Sequence, residues 1–372
     1  MTSDPETPPP AVAPEKTLLL LCREEFQTAL HAEIAAAIRL AGAGGPMKVA
    51  FGEKGLIRVD GESAGSLQAA HPDPFIFERQ RLVAAQLIPM GSLKAMARQV
   101  LVDCLPPVSR ARTPWTVHAF ASNPDSPDSL SRKVSGFEQV FLDLCRERFT
   151  AVFRRYKPPR ELPADAGAWV LQLCMAPAGL WGSAMLYESL SDRYVGGMHR
   201  MPLDPHAPSR SYLKIEEAFD LMGEEPRPGQ TVVDLGAAPG GWTYAFLKRG
   251  CHVTAVDHAE LRLTSLGGLD GRFTHLKENG ISYTPPRQNL PVDWLVSDML
   301  VAAGTNIGML RKWMDNRWMR HFVFNVKLPQ EQPLEALQPM IAYLEKVPDL
   351  RWRMRQLYHD RREVTVWGWL PV

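Results

Sequence analysis

The stretch Asp234-Leu-Gly-Ala-Ala-Pro-Gly-Gly-Trp242 places three glycines and a proline between a short apolar run and a helical pattern. Glycines at 236, 240 and 241 let the backbone turn sharply and approach a ligand closely, and Pro239 stiffens the loop. The spacing is not Gly-x-Gly-x-x-Gly, and no Gly-Lys-Ser/Thr follows, so dinucleotide and P-loop sites lose ground. A neutral or zwitterionic ligand needs fewer phosphate donors and suits such a turn better. Asp257 ends the next apolar run, Val253-Thr-Ala-Val-Asp. A carboxylate there is placed to accept hydrogen bonds from both hydroxyls of a ribose; a solvated turn residue is the plainer alternative. Asn279, in Lys277-Glu-Asn-Gly280 after Phe273–Leu276, is a candidate for an adenine contact.

Two lysines and two carboxylates fall where they can converge beside that loop. In an open α/β sheet, ligands lie outside the carboxyl ends of the strands. Asp298 follows the run Val292–Ser297, Lys327 follows Phe322–Val326, and Glu363 starts the last strand. Lys214 lies in the helix Tyr212–Met222, beside the apolar positions Ile215, Ala218, Phe219 and Met222. Taken singly, each lysine reads as a solvated surface charge. Together they suit attack by a weakly acidic hydroxyl on an activated methyl group, which needs a general base. Desolvation and a second cation, Lys214, can make a neutral amine accessible, so Lys327 is the candidate base. The loop, Asp257 and this quartet point to S-adenosyl-L-methionine as methyl donor and to a ribose hydroxyl as acceptor.

The elements that must position these groups begin near His206. Thr231–Leu235, His252–Val256, Val292–Ser297 and Phe322–Val326 are short apolar runs with helical segments between them, as a parallel sheet requires. Trp352–Tyr358, the turn His359-Asp-Arg-Arg and Glu363–Leu370 form a hairpin that closes the sheet with an antiparallel strand. Upstream, Thr17–Cys22, the helical pattern Phe26, Leu30, Ile34, Ile38, and the runs Lys48–Phe51 and Leu56–Val59 open a small ferredoxin-like α+β unit. A second strand-and-helix stretch follows: Trp115–Phe120, a helix over Leu130–Tyr156, and a hairpin of Trp169–Met175 with Leu180–Leu186. Arg132, Lys133, Arg146, Arg148, Arg154, Arg155, Lys157 and Arg160 cluster on that helix and its exit. They suit a phosphate-facing stripe or, more plainly, a solvated helix face.

Composition bounds the reading. The chain of 372 residues has a formal net charge of +1, so a nucleic-acid partner must rest on local basic patches. Cys22, Cys104, Cys145, Cys174 and Cys251 are scattered within apolar runs without a Cys-x-x-Cys pair. Neither a metal site nor a disulfide framework is indicated. Residues 1–16 are acidic and proline-rich and read as a disordered tail; no signal peptide or spanning segment is evident, so a cytoplasmic monomer without membrane contact is expected.

The order Lys214, Asp298, Lys327, Glu363 resembles the Lys-Asp-Lys-Glu tetrad of RNA ribose 2′-O-methyltransferases, and Gly236-Ala-Ala-Pro-Gly-Gly-Trp242 is similar to the loop of their FtsJ-like members. The resemblance is closest over His206–Phe219, Phe324-Asn-Val-Lys-Leu-Pro329 and Arg355–Val366, which look like the bacterial enzymes that methylate the 2′-hydroxyl of a cytidine in 23S rRNA. It covers about the last 170 residues specifically and the rest weakly. It implies a Rossmann-like methyltransferase domain over 205–372, preceded by a ferredoxin-like unit (17–80) and a THUMP-like RNA-binding domain (81–195). It also implies cofactor contacts at Ser211, Ala238, Pro239, Gly240, Gly241, Asp257, Asn279 and Asp298, with Lys327 as proton acceptor and large-subunit ribosomal RNA as partner. The family often carries aspartate where Asn279 stands; asparagine has no charge, which alters that contact.

Two other classes compete. A base-modifying RNA methyltransferase commonly carries Asn/Asp-Pro-Pro-aromatic after the fourth strand, where this chain reads Ser297-Asp-Met-Leu. A non-catalytic RNA-binding or ribosome-assembly protein would have no use for the full loop and quartet. A small-molecule methyltransferase fits less well with the segment Arg311-Lys-Trp-Met-Asp-Asn-Arg-Trp-Met-Arg320, whose aromatic and cationic residues can meet bases and phosphates. The plainer alternative there is an amphipathic helix with Trp313 or Trp318 in the core.

Overall fold

Continuous apolar runs, rather than alternating ones, mark strands covered on both faces, and they form the centres of the sheets. The computed structural model describes residues 17–40, 49–127, 129–162, 167–263 and 272–370. The proline-rich tail 1–16 and Lys48 lie outside the described residues. Contacts divide the chain into two units: residues up to Pro74 with Glu78–Gly196, and Phe75–Phe77 with Gly197 onward.

The first unit holds two sheets. In one, β1 (Leu18–Leu21), β2 (Val49–Glu53), β3 (Leu56–Val59) and β4 (Gln80–Leu82) lie in the order β2-β3-β1-β4, all antiparallel. Helices α1 (Gln27–Leu40) and α2 (Glu62–Ala70) connect them. This sheet runs to Leu82, two residues past the boundary expected at 80. The other sheet orders β5 (Gln86–Pro89), β6 (Trp115–Ala121), β7 (Trp169–Ala176) and β8 (Gly179–Leu186) as β5-β8-β7-β6. Helices α3 (Leu93–Asp103), α4 (Pro106–Ala111), α5 (Ser131–Arg148) and α6 (Thr150–Phe153) accompany it.

The single helix expected over Leu130–Tyr156 is broken at Phe149, whose φ −127° and ψ 46° leave the helical region. The break lets the chain double back: Trp115 donates its indole N–H to the Val152 carbonyl at 2.9 Å, and the Trp115 and Tyr156 rings meet edge-on at 5.3 Å. A straight helix would carry Tyr156 away from the sheet.

The second unit is a seven-stranded sheet built from β9 (Thr231–Leu235), β10 (His252–Val256), β11 (Phe273–Leu276), β12 (Val292–Ser297), β13 (Met319–Lys327), β14 (Arg351–Arg355) and β15 (Glu363–Trp369). Their order is β11-β10-β9-β12-β13-β15-β14. The first five are parallel, and β15 runs antiparallel to both neighbours. Helices α7 (Tyr212–Met222), α8 (Gly241–Lys248), α9 (Ala303–Asp315) and α10 (Pro333–Leu344) complete it. Strand order reverses at β9, between β10 and β12, which opens a crevice at the carboxyl ends. None of the described helices is long and apolar enough to cross a membrane.

Trp294 of β12 anchors the core of this sheet, 1% exposed and in contact with Phe219 of α7 (5.8 Å between rings) and Phe246 of α8 (5.9 Å). It therefore fixes two helices on one face. Trp294→Ala is expected to destabilise the second unit by about 3–5 kcal/mol, the usual cost of emptying a buried indole site, as read from the urea midpoint.

Candidate active site

The loop after β9 is shaped by what leaves it no room for side chains. Gly236 sits at φ +75°, and a Cβ there would lie 2.2 Å from Met299 Cγ. A Cβ on Gly241 would fall 2.2 Å from Ser211 Oγ and 2.6 Å from Ser209 Oγ, hydroxyls that are themselves 2.7 Å apart. Trp242 donates its indole N–H to the Ser211 carbonyl at 3.0 Å. The loop is thus pressed onto the start of α7, the helix that carries Lys214. Asp257, just past β10, accepts from the backbone N–H of Ala238 at 3.0 Å and of Ala259 at 2.8 Å, which ties the loop to the neighbouring strand end.

These parts surround a cavity of about 750 Å³. Every residue expected in the site lines it except Gly240 and Asn279. Gly240 stands at φ +108° immediately before α8 and shapes the loop from behind. Asn279 is exposed, and its Oδ1 accepts from the Ile281 N–H at 2.9 Å while its carbonyl accepts from Tyr283 N–H at 3.0 Å, so it builds a turn. Trp313 of the Arg311–Arg320 segment is core, 1% exposed and packed on Tyr283 and Trp318. Neighbouring Lys312 binds the carbonyls of Ser282 and Tyr283, at 3.1 and 3.0 Å. For Trp313 the base-stacking reading therefore gives way to the core one, because α9 turns its apolar stripe to the sheet.

The quartet closes into a ring. Lys214 Nζ lies 3.3 Å from Asp298 Oδ1 and also bonds Glu363 Oε1; Lys327 Nζ lies 3.2 Å from Asp298 Oδ1 and 3.3 Å from Glu363 Oε2. Register explains half of it, since Lys327 and Glu363 are directly paired across β13 and β15 and so share a face. Burial opposes the charge on Lys214, but Asp298, Asp360 and Glu363 overcome it and hold the ammonium above its usual range. Burial likewise works against the Glu363 charge, yet Lys214 and Lys327 bring it below the usual carboxylate range. Lys214 is therefore a held cation, and the more open corner is Lys327, with 21% of its side chain exposed against 11%.

Among the lining residues outside the set expected from sequence are Asp234, His359 and Arg361. Asp234 lines the cavity at 1% exposure and accepts from Thr243 Oγ1 at 2.6 Å. Inside an apolar run it reads as the end of a strand, and only its burial distinguishes it. His359 and Arg361 also line the cavity, from the turn between β14 and β15; their cluster of basic residues was the available signal.

Burial pushes the Asp234 carboxyl up to about 7, with Thr243 opposing and the charges of Asp298 and Asp257 adding to the rise. In the unfolded chain it titrates near the ordinary 3.8. Between those values the folded state holds a proton that the unfolded state has released, so stability falls as pH rises through the window and stays lost above it. Asp234→Asn, which cannot ionise, is expected to melt higher than wild type at pH 8, by roughly 2–4 °C for each kcal/mol recovered. The two should converge toward pH 4 in differential scanning calorimetry without added ligand.

Residues 207–316 match the FtsJ-like methyltransferase family. The ribosomal RNA large subunit methyltransferase M of Alkalilimnicola ehrlichii is 35% identical over 95% of this chain and 94% of its own length. Its namesake from Xanthomonas campestris pv. campestris (strain B100) is 31% identical over 94% of this chain and 98% of its own. That of Laribacter hongkongensis reaches 42% identity over 66% of this chain and 68% of its own. With the glycine loop, the strand-end carboxylates and the paired lysines in one crevice, these likenesses have one consequence: the chain belongs to the ribosomal RNA large subunit methyltransferase M family.

Proposed function

We propose that the chain transfers the methyl group of S-adenosyl-L-methionine to the ribose 2′-hydroxyl of a cytidine in large-subunit (23S) ribosomal RNA, acting in the cytoplasm. The observation that carries this reading is the closed ring of Lys214, Asp298, Lys327 and Glu363 on the wall of the cavity that the glycine loop also lines.

The residues present suit the methyl donor. Backbone without side chains at Gly236 and Gly241 leaves room for close approach, and Ser211, Ala238 and Pro239 line the same wall. Asp257 uses one lone pair on each oxygen for backbone N–H groups, which leaves acceptor capacity for two ribose hydroxyls. With its oxygen committed to Ile281, Asn279 retains its NH2 group for the adenine edge. The sulfonium of the bound donor supplies an activated methyl group.

The chain's own residues then handle the acceptor. Lys327 takes the hydroxyl proton from the more open corner of the ring. Asp298 and Glu363 orient its amine and receive the resulting ammonium, while Lys214 stays charged and helps keep Glu363 ionised. Asp298 directly follows Ser297 in the sequence that base-modifying enzymes replace with a proline pair, and its contacts to both lysines leave it committed to this ring.

For the first unit, we assign β1-α1-β2-β3-α2-β4 to a ferredoxin-like module and the second sheet with its helices to a THUMP-like one, together serving RNA binding. Support comes from exposed Arg132, Arg148, Arg154, Lys157 and Arg160 on α5 and the chain that leaves it. Exposed cations of this kind neutralise phosphates independently of sequence.

Incubation of the protein with labelled methyl donor and large-subunit rRNA lacking the modification is expected to yield 2′-O-methylcytidine on nuclease digestion. A methylated base, or no incorporation, would overturn the reading. Lys327→Ala is expected to lower the rate about 100-fold or more, the usual contribution of a general base, with donor affinity by calorimetry unchanged. Retained activity would remove Lys327 from that role.

A further inference from the structure

A second polar layer lies beneath the ring. Two residues back along β13, Asn325 is on the same face as Lys327, and it pairs with Thr365 of β15 as Lys327 pairs with Glu363. Asn325, Thr365 and Asp360 are all fully buried. The Asn325 amide is used at both ends: Lys327 Nζ donates to its Oδ1 at 3.0 Å, and its Nδ2 donates to Asp360 Oδ1 at 2.8 Å and to Thr365 Oγ1 at 3.3 Å. Asp360 is held in turn by the Leu357 N–H at 3.0 Å and by the Thr365 hydroxyl, 3.3 and 3.1 Å from its two oxygens.

An asparagine amide is nearly symmetric in shape but not in chemistry, since one end accepts and the other donates. Only the oxygen end can accept from a lysine amine; the reverse orientation would set two donors face to face or occupy the lone pair on which a base depends. Asp360 Oδ1 accepts from Asn325 Nδ2, so it selects the orientation that turns the amide oxygen to Lys327. Burying a carboxyl group is costly unless its hydrogen bonds are made, and this one makes them with the Asn325 amide, with the Thr365 hydroxyl beside that amide, and with the backbone of its own turn.

We infer that Asp360 is a positioning residue for methyl transfer: through Asn325 it fixes the amine of Lys327 at the reacting corner. The inference rests on the reading of Lys327 as the proton acceptor. Asp360 does not itself line the cavity, and its hydrogen-bonded route to Lys327 runs through Asn325, while its charge also acts on Lys214.

The test is a cycle of Asp360→Asn, Asn325→Ala and the double variant, with kcat, KM for RNA and donor affinity measured for each. Asp360→Asn keeps the shape but can turn a donor toward Asn325, and kcat is expected to fall about 10- to 100-fold, in line with misplacement of a reacting group. KM and donor affinity should stay within about twofold of wild type, as for an effect confined to the chemical step. Asn325→Ala should lose a similar factor, and the double variant should be no worse than about twofold below the poorer single, because both act along one path. Wild-type kcat in Asp360→Asn, or losses that multiply in the double variant, would overturn the inference. Parallel loss of donor affinity and melting temperature would overturn it too, as the mark of a purely structural role. Should Asp360→Asn fail to fold, Asn325→Ala decides: unchanged kcat there defeats the inference. Lys327→Ala separates the two readings: if it keeps wild-type kcat, the proton-acceptor assignment itself fails. If it loses activity while Asp360→Asn does not, only the positioning role fails.

Discussion

Four ionisable groups that could not be drawn out of bulk water singly are drawn out of it together, Lys214 and Glu363 buried and Lys327 and Asp298 partly so, and the site is organised around that constraint. An isolated lysine or carboxylate in a poorly solvated crevice would lose its charge or unfold its surroundings. In the alternating ring each lysine amine contacts two carboxylates and each carboxylate two amines, so no member is left unpaired. Removing one partner from such an arrangement leaves an uncompensated charge, which costs far more than the pair contributes. The scaffold supplies the corners from four separate elements: α7, the end of β12, the end of β13 and the start of β15.

The donor loop and the ring are not independent devices. The start of α7 is pinned by Trp242 and by the near contact of Gly241 with Ser209 and Ser211, and the same helix delivers Lys214 three residues on. Upstream, Asp204 accepts from Lys248 and Tyr244 of α8, which hold its carboxyl well below the usual range and bind the approach to α7 against α8. A side chain added in the loop would therefore disturb the lysine as well as the donor's seat.

Much of this was legible in the sequence because strand ends advertise themselves. Apolar runs of five or six residues mark β9, β10 and β12, and the carboxylates that follow β10 and β12, Asp257 and Asp298, occupy the crevice by topology alone. What the sequence concealed was burial and orientation. Asp234 and Asp360 look like ordinary polar residues in strand and turn, yet both lie within the core. Asn279 has the right place after β11 but spends its oxygen on a local turn, a choice between backbone and ligand that no spacing reveals. Trp313 sits among cations, and only the packing of α9 determines that it faces inward. Phe149 breaks a pattern that remains helical in period, because the need to return Tyr156 to Trp115 is a tertiary one.

The antiparallel strand at the edge of the parallel set has a consequence for how this site can vary. Side chains alternate faces along β15, so a slip of a single residue against β13 would move Glu363 and Thr365 to the opposite side of the sheet together. The backbone ladder would survive such a slip, and so would the apolar character of the run Val364–Trp369, whose residues are covered on both faces or nearly so. Chemistry would be lost with the fold largely kept. Insertions and deletions in the connection from β14 to β15 are thus far more dangerous than substitutions at most of its positions, and the number of residues in that turn is itself a catalytic parameter.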